Sequence, residues 1–187
     1  MHMHLSPEIT ALVHSLSVLV VEDNSFTRKV TRGLLAHIGI KEIHEAADGA
    51  AGLEGIRRYA PDLVFVDWNL PILTGAELVS MVRAPGTFPL PDVPIIMLTS
   101  HGERWRVMES QRLGANDFLI KPVSAQAILD RIVSIFKNPR PMVRLGKYYG
   151  PQPRGLLEKM LREQPAAAAE VVLPARIGSG PPVDLSP

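Results

Sequence analysis

Unbroken runs of apolar residues recur along the chain, and longer amphipathic stretches separate them. Four of these runs lie at 18–21, 63–66, 95–98 and 118–120. Apolar runs of this length, with no polar residue at alternate positions, are typical of parallel strands that are buried on both faces. A fifth strand is predicted at about 42–46, so the pattern predicts five strands between residues 15 and 138.

The stretches that separate or follow these strands predict five helices, at about 25–37, 49–59, 75–82, 103–113 and 125–136. Gly39 stands where the first of them should end, because glycine is common just past the end of a helix. Strands that alternate with helices in this way pack as an α/β protein. We therefore predict a doubly wound sheet of five parallel strands with five helices. We take its strand order to be the flavodoxin-like 2-1-3-4-5, in which the first strand lies beside the third.

Both ends of the chain are predicted to lie outside this domain, which should cover residues 15–138. Residues 1–14 are predicted to form a leader, in which Ser6 and Pro7 suit the cap and first turn of a brief helix. Residues 139–187 hold nine of the seventeen prolines together with an alanine run. This composition predicts a largely disordered tail, with a solvated basic linker at 140–154 and a short helix at 155–163.

Composition and charge narrow the function without defining it. A formal net charge of +1 gives no general attraction to nucleic acid or to anionic membranes. The absence of cysteine excludes disulfides and thiol chemistry. No apolar run reaches the roughly 18 residues of a membrane span. We expect a cytoplasmic protein that does not contact a membrane.

Polar residues follow or end four of the predicted strands, and they are the candidate chemistry of the chain. They are Glu22, Asp23, Asp67, Thr99 and Lys121. Because the carboxyl ends of parallel strands line one crevice, we expect these side chains to meet there. Three neighbouring carboxylates repel one another unless a cation intervenes, and oxygen ligands suit Mg²⁺. With a lysine and a hydroxyl beside them, the pocket suits a phosphoryl group that is attacked by Asp67.

The order of four short motifs resembles that of response-regulator receiver domains, the CheY-like family of two-component signalling, over about residues 15–137. The motifs are Val20-Val21-Glu22-Asp23-Asn24, Asp67-Trp68-Asn69-Leu70-Pro71 with Gly75, Leu98-Thr99-Ser100, and Gly114-Ala115-Asn116-Asp117-Phe118-Leu119-Ile120-Lys121-Pro122. Each motif alone is common, but four in this order at predicted strand ends are specific. Glu22 stands where an aspartate is also common in the family, and Thr74 where Asp or Asn is frequent.

The resemblance implies a role for each candidate residue. Asp67 is expected to accept a phosphoryl group from a histidine kinase or a histidine phosphotransfer protein. Lys121 is expected to pair with that group, and Thr99 with Phe118 to form the switch couple. The implied ligands of Mg²⁺ are Glu22, Asp23, Asp67 and the backbone carbonyl of Asn69. The bond between Lys121 and Pro122 is expected to resemble the cis peptide of the family.

The function predicted from these features is that of a phosphorelay response regulator, a signalling protein and not an enzyme acting on outside substrates. Its output surface is expected to consist of the fourth helix, the fifth strand and the fifth helix, which would bind an unknown partner or a second copy. A haloacid-dehalogenase-like phosphatase is one alternative, although that family carries its nucleophilic aspartate on the first strand. A transcription regulator acting through its tail is another, but the tail is too short for a folded DNA-binding domain.

Overall fold

The structure is a computed structural model that describes residues 5–84, 86–100, 104–153 and 170–171. The helices in these ranges are α1 (Pro7–Ser15), α2 (Ser25–Ile38), α3 (Gly49–Tyr59), α4 (Gly75–Val82), α5 (Arg104–Arg112) and α6 (Ala125–Lys137). The strands are β1 (Ser17–Val21), β2 (Glu42–Ala46), β3 (Leu63–Asp67), β4 (Ile95–Thr99), β5 (Asp117–Ile120), β6 (Met142–Leu145), β7 (Tyr148–Pro151) and β8 (Glu170–Val171).

Five parallel strands form the central sheet in the order β2-β1-β3-β4-β5, which confirms the predicted fold. In the register of the sheet, Val20 lies beside Phe65, and Phe65 lies beside Ile96. Every residue of β3 and β4 is buried. This burial explains why those strands are apolar at consecutive positions, since helices cover both faces of the sheet.

Two apolar clusters, one on each face of the sheet, form the core. Side chains of α3 and α4, such as Ile56 and Leu78, pack on the face to which Leu19 and Val21 of β1 point. Side chains of α1, α2 and α6 pack on the other face, together with Val18 and Val20. The alternation along β1 is the period of two that a strand imposes on its side chains.

Polar residues at the strand-to-helix loops cap four of the helices that surround the sheet. The caps are Asn24 of α2, Asp48 of α3, Thr74 of α4 and Ser124 of α6, and each accepts a hydrogen bond from a backbone N–H of the first turn. Thr74 also forms a capping box, because the Glu77 carboxylate accepts from the Thr74 backbone N–H at 2.9 Å. The helix starts are thereby held at the edge of the sheet that carries the candidate chemistry.

The N-terminal helix α1, predicted as a brief helix that begins at Ser6 and Pro7, belongs to the packed domain. Ser6 caps it by accepting from the Ile9 backbone N–H. Val13 is fully buried in the cluster with α2 and α6. Glu8 also forms an ion pair with Lys137 of α6. Packing therefore extends to residues that were assigned to the leader, and α1 adds a sixth helix to the five that were predicted for the domain.

A β-hairpin of β6 and β7 occupies residues that were predicted to be an unstructured linker. The two strands pair antiparallel, with Arg144 beside Tyr149, and β8 pairs with the other edge of β6. Tyr148 and Tyr149 are both buried; the Tyr149 hydroxyl donates to Asp92 at 2.5 Å. Burial of two tyrosines supplies the apolar contact that the composition did not suggest. The predicted helix at 155–163 lies outside the described residues.

A buried arginine, Arg83 at the end of α4, links this helix to the loops that precede β4 and β5. Its Nε donates to the Gly114 carbonyl at 2.8 Å, Nη1 to the Pro91 carbonyl at 2.5 Å and Nη2 to the Asn116 side-chain oxygen at 3.0 Å. Burial lowers the pKa of Arg83 to about 10, so the guanidinium remains charged at neutral pH. All three partners are neutral oxygens.

Replacing Arg83 by methionine is expected to lower the free energy of unfolding by about 3 kcal/mol, because three buried oxygens lose hydrogen bonds from a charged donor. Urea denaturation of both proteins measures the difference. Arg58→Met is the matched control: Arg58 is exposed on α3, where its guanidinium lies 5.3 Å from the Tyr59 ring centroid. The control should change stability by no more than roughly 0.5 kcal/mol. Equal losses in the two variants would contradict a structural role for Arg83.

Candidate functional site

Three carboxylates meet at the carboxyl edge of the sheet. Glu22 and Asp23 directly follow β1, and Asp67 is the last residue of β3, which pairs with β1. One carboxylate oxygen of each residue lies within 4.8 Å of the others. Glu22 and Asp67 are buried, whereas Asp23 is exposed. The cluster is therefore embedded in the domain and open to solvent on the side of Asp23.

Backbone hydrogen bonds orient the two buried carboxylates. The Asn24 N–H donates to Glu22 Oε1 at 3.3 Å, and the Asn69 N–H donates to Asp67 Oδ2 at 3.1 Å. Arg28 of α2 stabilises the loop between β1 and α2, since its Nη1 donates to the Glu22 carbonyl at 2.6 Å. The sequence reasoning missed Arg28. Its position in the second turn of α2, just after the acidic pair, was the available signal.

Lys121 lies between the two buried carboxylates. Its Nζ is 2.5 Å from Glu22 Oε2 and 2.6 Å from Asp67 Oδ1. Lys121 directly follows β5, and its backbone N–H donates to the Thr99 carbonyl at 2.8 Å, which keeps it level with the end of β4. The peptide bond between Lys121 and Pro122 is cis, as the resemblance implied.

The electrostatics of the cluster are unbalanced towards negative charge. Burial raises the pKa of Glu22, and the nearby charge of Asp67 adds to this, although hydrogen bonds from Lys121 and Asn24 oppose it. Burial by itself would lower the pKa of Lys121, but its hydrogen bonds to Asp67 and Glu22 outweigh burial and raise that pKa. One ammonium thus faces three acidic groups, a set that a divalent cation would balance.

The remaining predicted residues lie at or near the same edge. Thr99 is buried and ends β4, beside the cluster. The backbone N–H of Asn69 donates a hydrogen bond to the Asp67 carboxylate. Phe118 lies deeper in the sheet, where it pairs with Met97 and packs against the cluster of α3 and α4. The structure therefore brings Glu22, Asp23, Asp67 and Lys121 together. Phe118 lies next to this group, in the apolar packing of the sheet, and is not part of it.

An aromatic group beside the site was missed by the sequence reasoning. The rings of Trp68 and Trp105 meet edge to face, with centroids 6.0 Å apart. The Arg106 guanidinium carbon lies 5.5 Å from the Trp68 ring centroid and 5.1 Å from that of Trp105. Trp68 is the residue after Asp67, so this group connects the cluster to α5. These two residues are the only tryptophans of the chain, and that rarity was the available signal.

The acidic cluster fits Mg²⁺ in chemistry. All its donors are carboxylate oxygens, the hard ligands that Mg²⁺ prefers, and one of them faces solvent, where the ion can keep part of its water shell. No nitrogen or sulfur ligand that would favour a softer metal belongs to the cluster.

Among the described residues, no helix is long and apolar enough to cross a bilayer.

Comparisons with known proteins found similar sequences and similar structures. Residues 18–133 match the response regulator receiver domain. A chemotaxis protein CheY from Pseudomonas aeruginosa is 32% identical over 123 residues, which cover 66% of this chain and 98% of that protein. Chemotaxis protein CheY4 from Vibrio cholerae is similar in structure, with a TM-score of 0.55 and 30% identity over 62% of this chain and 93% of its own.

A further structural relative was crystallised with ligands. It belongs to the CheX–CheY–BeF3–Mg²⁺ complex from Borrelia burgdorferi and aligns with a TM-score of 0.59 and 26% identity. The alignment covers 66% of this chain and 89% of that one.

Proposed function

Because the chain belongs to the response regulator receiver family of two-component signalling, we propose that Asp67 is its phosphoacceptor. The donor is a histidine kinase or a histidine phosphotransfer protein, and the protein acts in the cytoplasm. The observation that carries the proposal is the position of Lys121 Nζ, 2.6 Å from Asp67 Oδ1 at the edge of the acidic cluster. A cation in this place can neutralise phosphoryl oxygens as they arrive.

The transfer step needs few groups, and each is in the chain. A carboxylate oxygen of Asp67 attacks the phosphorus of the donor phosphohistidine and forms an acyl phosphate. The P–N bond breaks, and its electron pair stays on the imidazole nitrogen, which takes up a proton. Burial of Asp67 restricts approach to the open side of the cluster, and the Asn69 N–H at 3.1 Å orients the carboxylate. The test is Mg²⁺-dependent phosphorylation by a small phosphodonor, with Asp67→Asn as the variant expected to take up nothing.

The groups that would hold Mg²⁺ are Glu22, Asp23, Asp67 and the backbone carbonyl of Asn69. When bound, the ion supplies positive charge that lets phosphoryl oxygens enter an acidic pocket. The Borrelia CheY complex that contains Mg²⁺ and BeF3 supports this assignment by analogy. The main support within this chain is the proximity of three carboxylates that face a single ammonium.

Asp23→Asn is expected to weaken Mg²⁺ binding about 10-fold or more, since even outer-shell partners of a metal contribute that much. Isothermal titration of Mg²⁺ into both proteins measures the loss. Asp23 is exposed, so the fold should survive the change. Glu54→Gln, which removes one exposed carboxylate from α3, is the control for net charge and should leave the affinity unaltered. Equal Mg²⁺ affinity in wild type and Asp23→Asn would refute the assigned ligand set.

The switch is assigned to Thr99 and Phe118. Thr99 ends β4 level with Lys121, where its hydroxyl can bind a phosphoryl oxygen that exists only after transfer. Such a differential contact is what any ligand-driven change requires. Phe118 is half-buried on the neighbouring strand, between α5 and α6 in the chain. The output surface is then the α5–β5–α6 face, which binds a partner protein or a second copy.

The position of Asp67 disfavours the phosphatase alternative. Its carboxylate ends the third strand of the chain, and the acidic pair follows the first. This order is the reverse of the one expected for a haloacid-dehalogenase-like enzyme. The signalling function is therefore the one that the site supports.

A further inference from the structure

A cavity of about 460 Å³ lies between the ends of α4 and α5 and the β6–β7 hairpin. Its lining includes Arg83 of α4, Arg112 of α5, and Arg144, Lys147, Tyr148 and Tyr149 of the hairpin. The volume falls in the range of about 300 to 1,000 Å³ that is usual for small-molecule sites. The cavity plays no part in the phosphoryl chemistry proposed for Asp67.

The cavity lies at the opposite edge of the sheet from Asp67. Arg83 donates to the carbonyls of Pro91 and Gly114, which precede β4 and β5, whereas Asp67 ends β3. The amino-terminal ends of parallel strands form the edge opposite to their carboxyl ends. A ligand in the cavity would therefore not compete with a phosphoryl group for space.

Four cationic side chains converge on this cavity, and its lining contains no acidic residue. Within the part of the chain that the structure describes, no carboxylate comes within 4.0 Å of the charged nitrogens of Arg83, Arg112, Arg144 or Lys147. Asp92, which is close enough to affect the pKa of Arg83, accepts the hydrogen bond of the Tyr149 hydroxyl. Asp92 offsets part of the charge of Arg83, but one nearby carboxylate against four cationic side chains leaves the cavity with an excess of positive charge.

Helix ends account for only half of this charge. Arg83 and Arg112 stand at the carboxyl ends of α4 and α5, where a cation is favoured by the helix dipole. Arg144 and Lys147 belong to the hairpin and serve no helix end. Their approach to two other cations costs free energy through repulsion. An anionic ligand bound between α4, α5 and the hairpin would replace this repulsion by attraction.

We propose that this cavity binds an organic phosphate of the size of a mononucleotide. Guanidinium groups match the geometry of phosphate oxygens with paired N–H donors. Tyr148 and Tyr149 also line the cavity; both are largely buried and their hydroxyls are engaged with the Pro151 carbonyl and with Asp92, so a ligand can contact only the edges of the rings that reach the lining. The Arg144 guanidinium carbon lies over the Tyr149 ring, 5.7 Å from its centroid, so the planar guanidinium itself offers a flat, charged surface on the ring. Such a pair suits a molecule with a phosphate and a flat base.

The test is isothermal titration of the full-length chain with AMP, ATP, GMP and GTP, with inorganic phosphate as the comparator. EDTA in every sample prevents binding through a metal at the acidic cluster. We expect at least one nucleotide to bind at least ~10-fold more tightly than inorganic phosphate, because contact of the base with the aromatic surface adds to the affinity. The double variant R144Q/K147Q should weaken that binding ~10-fold or more, since two charge-assisted contacts are lost.

Two further variants keep the result interpretable. Ser80→Glu adds a negative charge to an exposed position of the lining on α4, which is not part of the hairpin, and should also weaken binding. The double variant K29Q/R58Q removes the same charge from exposed positions of α2 and α3 and should bind as wild type does. The proposal is overturned if none of the four nucleotides binds, if inorganic phosphate binds as tightly, or if Ser80→Glu leaves the affinity unaltered. Asp67→Asn should have no effect, so failure of the phosphoacceptor assignment would leave this result intact.

Discussion

Asp67→Asn is expected to abolish phosphorylation of the protein by a small phosphodonor in the presence of Mg²⁺. Asparagine keeps the shape of the side chain, but its amide oxygen carries no negative charge and cannot form a stable acyl phosphate. The environment of the residue should persist, because the Asn69 N–H donates to one carboxylate oxygen and Lys121 Nζ to the other. An amide oxygen can still accept one of these bonds. Loss of phosphoryl uptake would therefore report chemistry and not unfolding.

Intact-protein mass spectrometry after incubation with phosphoramidate and Mg²⁺ measures the uptake. Wild type should gain the mass of one phosphoryl group and lose it again after the phosphodonor is removed, as water hydrolyses the acyl phosphate. Asp130→Asn, a change of the same chemistry on the exposed side of α6, should be labelled as wild type is. Equal labelling of Asp67→Asn and wild type would show that another residue is the acceptor. The absence of labelling in wild type would count against the proposed function as a whole.

Gly75→Ala is expected to lower the free energy of unfolding by about 3 kcal/mol, at the upper end of the usual cost of overpacking. A Cβ at this position would lie 2.1 Å from the backbone carbonyl oxygen of Asp67, far inside van der Waals contact. The obstacle is backbone, so no side-chain rotation can relieve it. The Gly75 N–H also donates to the Trp68 carbonyl at 3.1 Å. The loop after β3 must then move, and phosphorylation of Asp67 should slow as stability falls.

Urea denaturation and the rate of phosphoryl uptake, measured on the same samples, test both parts of this expectation. Gly33→Ala is the matched control, because a Cβ at Gly33 would meet nothing within 4 Å on the exposed side of α2. Alanine is the better helix former by roughly 0.5 to 1 kcal/mol, so the control should be slightly more stable than wild type. If Gly75→Ala were as stable and as rapidly phosphorylated as wild type, the close contact with Asp67 would not exist in solution.

The central sheet could be predicted from the sequence because its strands carry a strong local signal. The runs at 18–21, 63–66 and 95–98 are apolar at every position, and only strands covered on both faces tolerate this pattern. The edge strand β2, with the sequence Glu42–Ala46, has a weaker pattern and needed the alternation of neighbouring elements to be assigned. The candidate site followed from topology, because parallel strands place their carboxyl ends at one edge.

The hairpin and the packing of α1 could not be predicted in the same way. Each strand of the hairpin has four residues, too few for a periodic signal, and its stability comes from distant partners. The Tyr149 hydroxyl donates to Asp92, which lies far away in the sequence. Gly150 packs so closely against Gly114 that a Cβ added at Gly150 would lie 2.6 Å from the Gly114 Cα. Composition alone made the same residues resemble a linker, because prolines and basic residues dominate there. Helix α1 was expected as a brief helix of the leader, outside the domain, but burial of Val13 joins it to the core.

For the central sheet, the sequence by itself determined which strands and flanking helices form and which acidic and basic side chains share the edge where Asp67 lies. These properties follow from local apolar patterns and from the geometry of parallel sheets, which hold whatever the rest of the chain does. Tertiary structure alone decided the position of Lys121 between Glu22 and Asp67, the contact of Arg106 with two tryptophans, and the convergence of four cations at the opposite edge. Those features depend on contacts between residues far apart in the chain, and no local pattern of residues encodes such distances.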